Sequence, residues 1–247
     1  MVDDSRPYMS QITTLFIDKG GVLIDNTSLS PQYRRLLGEF LPIELGGDPN
    51  AWANANVGAA HRAFERYRAA SITAPSTSIR EWYSEDVRRW LYEMCDEVGR
   101  ARPPAAQADR IANAAHDYVR RHVDIRTPRI VERLQRFREQ GLTLHVASGD
   151  QHSDLVGYLE TMGVRGLFDR VYGTDILNVW KASSAYYRAA LADTKTAAAS
   201  AMLIDDSASA ISWAAECGLR GVLVRRNAGE PFEDSVLRAF DEVNALV

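Results

Sequence analysis

Hydrophobic and polar positions change period twice along this 247-residue chain. The first strong apolar run, Ile12 to Ile17, is short and rich in β-branched residues. It closes on Asp18-Lys19-Gly20-Gly21, the pattern of a buried strand ending in a tight turn. A second short run, Val22-Leu23-Ile24, follows at once. From about Ser30 to Val123 the period becomes helical: Trp82, Val87, Trp90, Leu91 and Met94, then Ile111, Ala115, Tyr118 and Val119, fall at spacings of three to five, and no strand run interrupts them. Gly46-Gly47-Asp48-Pro49, Ala74 to Ser78 and Pro103-Pro104 supply turns, which predicts several helices of ordinary length.

After Thr127-Pro128 strands and helices alternate. Helices are predicted at Ile130–Gln140, Ser153–Met162, Ser183–Ala192 and Ala208–Cys217, and strands at Leu142–Ala147, Arg170–Gly173, Ala201–Ile204 and Gly221–Val224. Strands separated by helices of about 10 residues imply right-handed crossovers and a parallel sheet covered on both faces. The first strand belongs in the same sheet. The expected fold is therefore α/β: a doubly wound, Rossmann-like core from residues 1–25 and 126–247, with residues 26–125 inserted as a helical cap. Hinges are expected near Asn26-Thr27-Ser28 and Ile125-Arg126-Thr127-Pro128. Neither an internal repeat nor a low-complexity tract is visible.

Composition narrows the function. The chain is 46% hydrophobic, enough to bury a large core, and its 29 basic and 33 acidic residues leave a net charge of -4. Such a chain lacks the broad cationic field of a non-specific nucleic-acid binder. Its two cysteines, Cys95 and Cys217, are far apart and in no metal-ligand spacing, which suits a reducing compartment and a cytoplasmic protein. The polar N-terminal stretch and the absence of a long apolar run give no indication of export or membrane insertion. A small-molecule substrate is the expected partner; oligomeric state is open.

In an open parallel sheet ligands sit beyond the carboxyl ends of the strands. Four polar groups fall there: Asp18-Lys19-Gly20-Gly21, Ser148-Gly149-Asp150, Lys181 in the turn before a crossover helix, and Asp205-Asp206-Ser207. A carboxylate that attacks a phosphoryl dianion needs a divalent cation and fixed positive charge around the oxygens. Asp18 with Asp205 and Asp206 offers the hard oxygens that Mg²⁺ takes. Ser148, Lys19, Gly149 and the N–H groups of Gly20 and Gly21 would hold phosphate oxygens, and Lys181 would set a compact charge against them. Asp18 is then the expected nucleophile of a covalent intermediate, with Ser148 and Lys181 beside it. Each group read singly is ordinary: Asp18 a turn former, Ser148 a helix cap, Lys181 a solvated lysine. The ordered set is not.

That set resembles the haloacid dehalogenase-like (HAD) hydrolase superfamily, whose strand ends carry Asp-x-x-Gly-(Thr or Val), then Ser or Thr, then Lys, then paired Asp. Asp18, Ser148, Lys181, Asp205 and Asp206 match, and the helical insert is similar to that superfamily's cap in its usual first position. The resemblance implies a Mg²⁺-dependent phosphatase of small metabolites and adds the main-chain carbonyl of Gly20 as a metal ligand. Two positions depart from it. Ala182 follows Lys181 where proline is usual, and Gly20 replaces the second Asp that protonates the leaving oxygen. His61 or Glu65 on the cap, or Asp25, is the expected substitute. The rival readings are a 2-haloacid dehalogenase, which uses the same nucleophile without metal, and a non-catalytic binding protein that has lost the acid. A phosphoryl-transfer or lyase role in a biosynthetic pathway would use the same residues. Trp52, Trp82, Trp90 and Tyr92 are expected to form cap core, His145 to be a buried core residue, and His152 to approach the site. Arg62, Arg66, Arg68, Arg88-Arg89 and Arg120-Arg121 are expected on solvated faces.

Overall fold

The computed structural model describes residues 11–73 and 77–247. The polar stretch 1–10 and most of the expected turn at 74–78 lie outside them. Five strands, β1 (Thr14–Ile17), β2 (Thr143–Ala147), β3 (Arg170–Tyr172), β4 (Ala201–Asp205) and β5 (Arg220–Leu223), form one parallel sheet in the order β3-β2-β1-β4-β5. Four helices, α1 (Asn26–Leu45), α2 (Pro49–Ser71), α3 (Ile79–Val98) and α4 (Ala105–His122), fill the sequence between β1 and the next core helix, α5 (Pro128–Glu139). The remaining crossovers carry α6 (His152–Thr161), α7 (Thr174–Leu177), α8 (Ser184–Thr194) and α9 (Ala208–Ala215), and α10 (Phe232–Asn244) closes the chain.

Strand alternation sorts the core into two layers. Leu15, Ile17, Leu144, Val146, Met202 and Ile204 face one side of the sheet; Phe16, Tyr172 and Leu203 face the other, against Tyr186, Tyr187 and Ala190 of α8. His145 lies on the second face with its ring 5.1 Å from that of Phe16, and burial pushes its pKa down to about 4. It is a neutral core residue, but not the satisfied one expected: its buried Nδ1 has no hydrogen-bond partner among the described residues.

Helix starts follow local capping chemistry. Asp48 accepts from Ala51 N–H ahead of Pro49, and Ser78 with Glu81 closes a reciprocal capping box. Asp25 caps α1 by accepting from Thr27 N–H at 3.0 Å. Asn26-Thr27-Ser28, where a hinge is expected, is therefore the first turn of a helix. The second short run, Val22-Leu23-Ile24, is a buried turn: the N–H groups of Leu23 and Ile24 both fold back on the Lys19 carbonyl. The pattern overlooked α7, only 4 residues long, and α10, whose Val236, Ala239, Phe240 and Val243 stripe packs on α5.

Candidate active site

The register of the sheet builds the site. β1 pairs Ile17 with Val146 on one side and Ile204 on the other, and Asp18 N–H donates to the Ile204 carbonyl at 2.9 Å. Parallel strands lie about 4.8 Å apart, so the next residues, Asp18 and Asp205, bring two carboxylates side by side at adjacent strand ends. Both are buried, and Asp206 joins them: one oxygen from each of the three lies within 4.8 Å of the others. Lys181 bridges the first two, its Nζ 2.9 Å from Asp18 Oδ1 and 2.7 Å from Asp205 Oδ2, and it also donates to the Ala147 carbonyl at 2.9 Å. Burial opposes charge on this ammonium, but Asp18 and Asp205 override it and raise its pKa.

Burial, then the charge of Asp18, pushes Asp205 up to about 6, against the pull of Lys181. The sign follows from linkage. A carboxyl group whose folded pKa is raised contributes stability that is full below its unfolded value and is lost as pH rises through 6. The metal-free protein is expected to lose stability between about pH 4 and 6 from this group, measurable as a falling melting temperature in chelator. Asp206 is raised by the same two causes. Three carboxylates facing one ammonium is the donor chemistry of a divalent-cation site, and the carbonyl of Gly20 lies in the adjoining loop.

The glycine turn divides its work differently from the sequence expectation. Gly21 N–H donates to Ile24 at 2.9 Å and so closes the turn instead of holding phosphate. Its own role is steric: with φ at +71°, it leaves room for the Asp206 carboxylate, which stands 2.0 Å from where a Cβ would sit. The N–H groups of Lys19 and Gly20 donate to no main-chain acceptor among the described residues, leaving two donors for an anion. Ser148 is buried at the end of β2. Its N–H is spent on the Tyr172 carbonyl at 3.0 Å, so its hydroxyl is the group available to a ligand.

Lys19 does not join the carboxylate cluster. Its Nζ sits 2.5 Å from Asp150 and 5.0 Å from the Tyr158 ring centre. There it lines a cavity of about 550 Å³ whose other walls include Leu29, Tyr33, Val57, Trp90 and Tyr158. Trp90 donates to Asn56 at 3.0 Å, so it is both helix core and cavity wall. Trp52 is wholly core, donating to the Gly46 carbonyl at 2.8 Å, and Tyr92 donates to the Pro103 carbonyl at 3.1 Å. Trp82 instead meets Trp180, the neighbour of Lys181, at 5.1 Å.

None of the three expected substitutes for the acid reaches this space. Asp25 accepts from Thr27 and pairs with Arg226 at 3.2 Å; against burial, those contacts hold its pKa low. His61 and Glu65 are exposed, on the side of α2 away from the cavity-lining Ala60 and Ala63. The space a Gly20 side chain would enter holds the Asn26 amide, 2.9 Å from the Cβ position. His152 turns its Nδ1 to the Val171 carbonyl at 2.9 Å, away from the carboxylates. Arg62 and Arg66 are taken up by Glu93, and Arg68 by Glu65. Arg120 is not solvated: it is buried and pairs with Asp117 and Asp154, joining α4 to α6. The sequence reading also missed Tyr83, whose hydroxyl donates to the Gly149 carbonyl at 2.6 Å.

Comparison with known proteins bears on the family and the fold. The family profile described as haloacid dehalogenase-like hydrolase matches residues 12–218. No curated protein matches the chain. Among solved structures, 2-haloacid dehalogenase from Pseudomonas syringae pv. Tomato DC3000 superposes with a TM-score of 0.64 at 18% identity, covering 95% of this chain and 99% of its own. L-2-haloacid dehalogenase from Xanthobacter autotrophicus, with chloropropionic acid covalently bound, gives 0.60 at 14% identity, over 92% and 88%. CbbY from Rhodobacter sphaeroides, in complex with xylulose-(1,5)bisphosphate, gives 0.55 at 17%, over 90% and 91%. At these identities the likeness is one of fold. No helix among the described residues is long and apolar enough to cross a membrane.

Proposed function

This chain belongs to the haloacid dehalogenase-like hydrolases, and from that premise we propose that it is a Mg²⁺-dependent phosphatase of small phosphate monoesters. The observation that carries the reading is the convergence of Asp18, Asp205 and Asp206 within 4.8 Å, with Lys181 paired to the first two. Asp18, Asp205, Asp206 and the Gly20 carbonyl would hold the metal, which supplies the divalent charge that lets a phosphoryl dianion approach. One Asp18 oxygen attacks phosphorus and the ester oxygen departs, leaving an aspartyl phosphate that water then cleaves. Lys181 offsets charge on Asp18 and on the phosphoryl oxygens, while Ser148 and the N–H groups of Lys19 and Gly20 orient them. Helices α1 to α4 act as the cap that screens this chemistry from water. The competing use of Asp18, displacement of halide from a 2-haloacid, would bring a fourth carboxylate to a site that already holds three.

The test is release of phosphate from a panel of monoesters, and of halide from 2-haloacids, with Mg²⁺ and with chelator. Metal-dependent phosphate release is expected. Metal-independent halide release would replace this reading with dehalogenation, and neither activity would favour a binding role. Stability gives an independent readout. A ligand at 100 times its Kd stabilises by about 2.7 kcal/mol, and a chain of this size shifts by about 2–4 °C per kcal/mol. Saturating Mg²⁺ should therefore raise the melting temperature by roughly 5–10 °C, and Asp205→Asn should remove most of that rise.

A further inference from the structure

Glycine at position 20 leaves the loop after Asp18 without a carboxylic acid, and its Lys19 ammonium is paired with Asp150, while an alkoxide leaving group needs a proton. The acids around the cavity are committed elsewhere: Asp150 to Lys19, Asp154 to Arg120, Asp86 to Arg66, Tyr33 to His116 and Tyr83 to Gly149. One phenol is not. On α2, Asn56, Ala60 and Ala63 line the cavity at spacings of four and three, and the next residue on that stripe is Tyr67. Its hydroxyl stands 2.8 Å from the position of a Gly149 Cβ, and its ring meets Trp180 edge-on at 5.5 Å. Gly149 follows Ser148 and Trp180 precedes Lys181, so Tyr67 overhangs the junction of the two loops that flank Asp18. Its hydroxyl has no protein hydrogen-bond partner among the described residues.

Resting on the phosphatase reading, we propose that Tyr67 is the catalytic acid that protonates the leaving oxygen, supplied by the cap in place of a residue on the nucleophile loop. As the bond from Asp18 to phosphorus forms and the bond from phosphorus to the ester oxygen breaks, that oxygen takes the Tyr67 proton and departs as the alcohol. The phenolate left behind takes a proton from the water that attacks the aspartyl phosphate, which releases inorganic phosphate and restores Asp18. Burial, then the charge of Asp150, pushes Tyr67 up to about 12, so it carries its proton at neutral pH and remains a stronger acid than an aliphatic alcohol.

The test is kcat/KM for Tyr67→Phe on phenethyl phosphate and on p-nitrophenyl phosphate, because only the alkoxide needs the proton. A loss of about 10²–10³-fold on the alkyl ester with less than tenfold on the aryl ester is expected. Gly149→Ala, which puts a methyl 2.8 Å from the hydroxyl and so pushes it aside, should show the same leaving-group selectivity. Equal losses on both esters would make Tyr67 a packing residue and overturn the assignment, as would no loss on the alkyl ester. If the native protein cleaves neither ester with Mg²⁺, the phosphatase reading has failed first, which the variants are not needed to show.

Discussion

Replacing Asp18 by asparagine should abolish phosphate release, by on the order of 10⁴-fold or more, while leaving the protein folded. The amide is nearly the same size, so neither packing at the end of β1 nor the N–H bond from residue 18 to Ile204 is disturbed. What disappears is the proposed nucleophile and one of the carboxylates crowded around Lys181. Burial and Asp18 together raise Asp205, so removing the Asp18 charge relieves repulsion that the fold otherwise bears without a cation. The variant is accordingly expected to melt no lower than the native protein in chelator, and to gain less from Mg²⁺. Mass spectrometry of acid-quenched native enzyme should show a phosphorylated peptide containing Asp18, absent from the variant. Substantial turnover by Asp18→Asn would move the chemistry to another residue, and a marked fall in its melting temperature in chelator would contradict the electrostatics.

The core and the carboxylate site were legible because both depend on short-range pattern. An apolar run ending in Asp18 or in Asp205 announces a strand end, and the parallel register does the rest. Lys181 was legible only as a member of that ordered set. The cap side of the site was not, because helical periodicity says which residues share a face but not which face meets the core. His61 and Glu65 share a face with each other; Ala60 and Ala63 line the cavity and Tyr67 continues their stripe towards Gly149, and the sequence signal for it was a stripe of small residues ending in a phenol. Asn26 escaped notice for a related reason. Its amide fills the space beside Gly20 through a contact between a loop and a helix start, set by the Asp25 cap and not by any repeat. Arg120 read as a surface cation until Asp117 and Asp154 were placed around it.

The two adjacent glycines of the nucleophile loop should respond very differently to a methyl group. Gly20 does not have a positive φ, and its Cβ would meet the amide of the exposed Asn26, which can swing aside. Gly20→Ala is expected to cost less than about 1 kcal/mol of stability and to leave Mg²⁺ binding nearly intact. Gly21 has φ at +71°, where an alanine is strained by about 1–2 kcal/mol, and its Cβ would fall 2.0 Å from Asp206 Oδ2 and 3.0 Å from Asp206 Cβ. The carboxylate must leave, and with it one of the three converging oxygens that would hold the proposed metal. Gly21→Ala should therefore lose roughly 2–4 kcal/mol in denaturant unfolding, the strain plus the displaced packing. It should also weaken Mg²⁺, read by thermal shift and by the metal dependence of turnover, by at least about 10–100-fold. If it binds Mg²⁺ as tightly as the native protein, Asp206 is not a ligand, and Asp18, Asp205 and the Gly20 carbonyl would hold the cation without it.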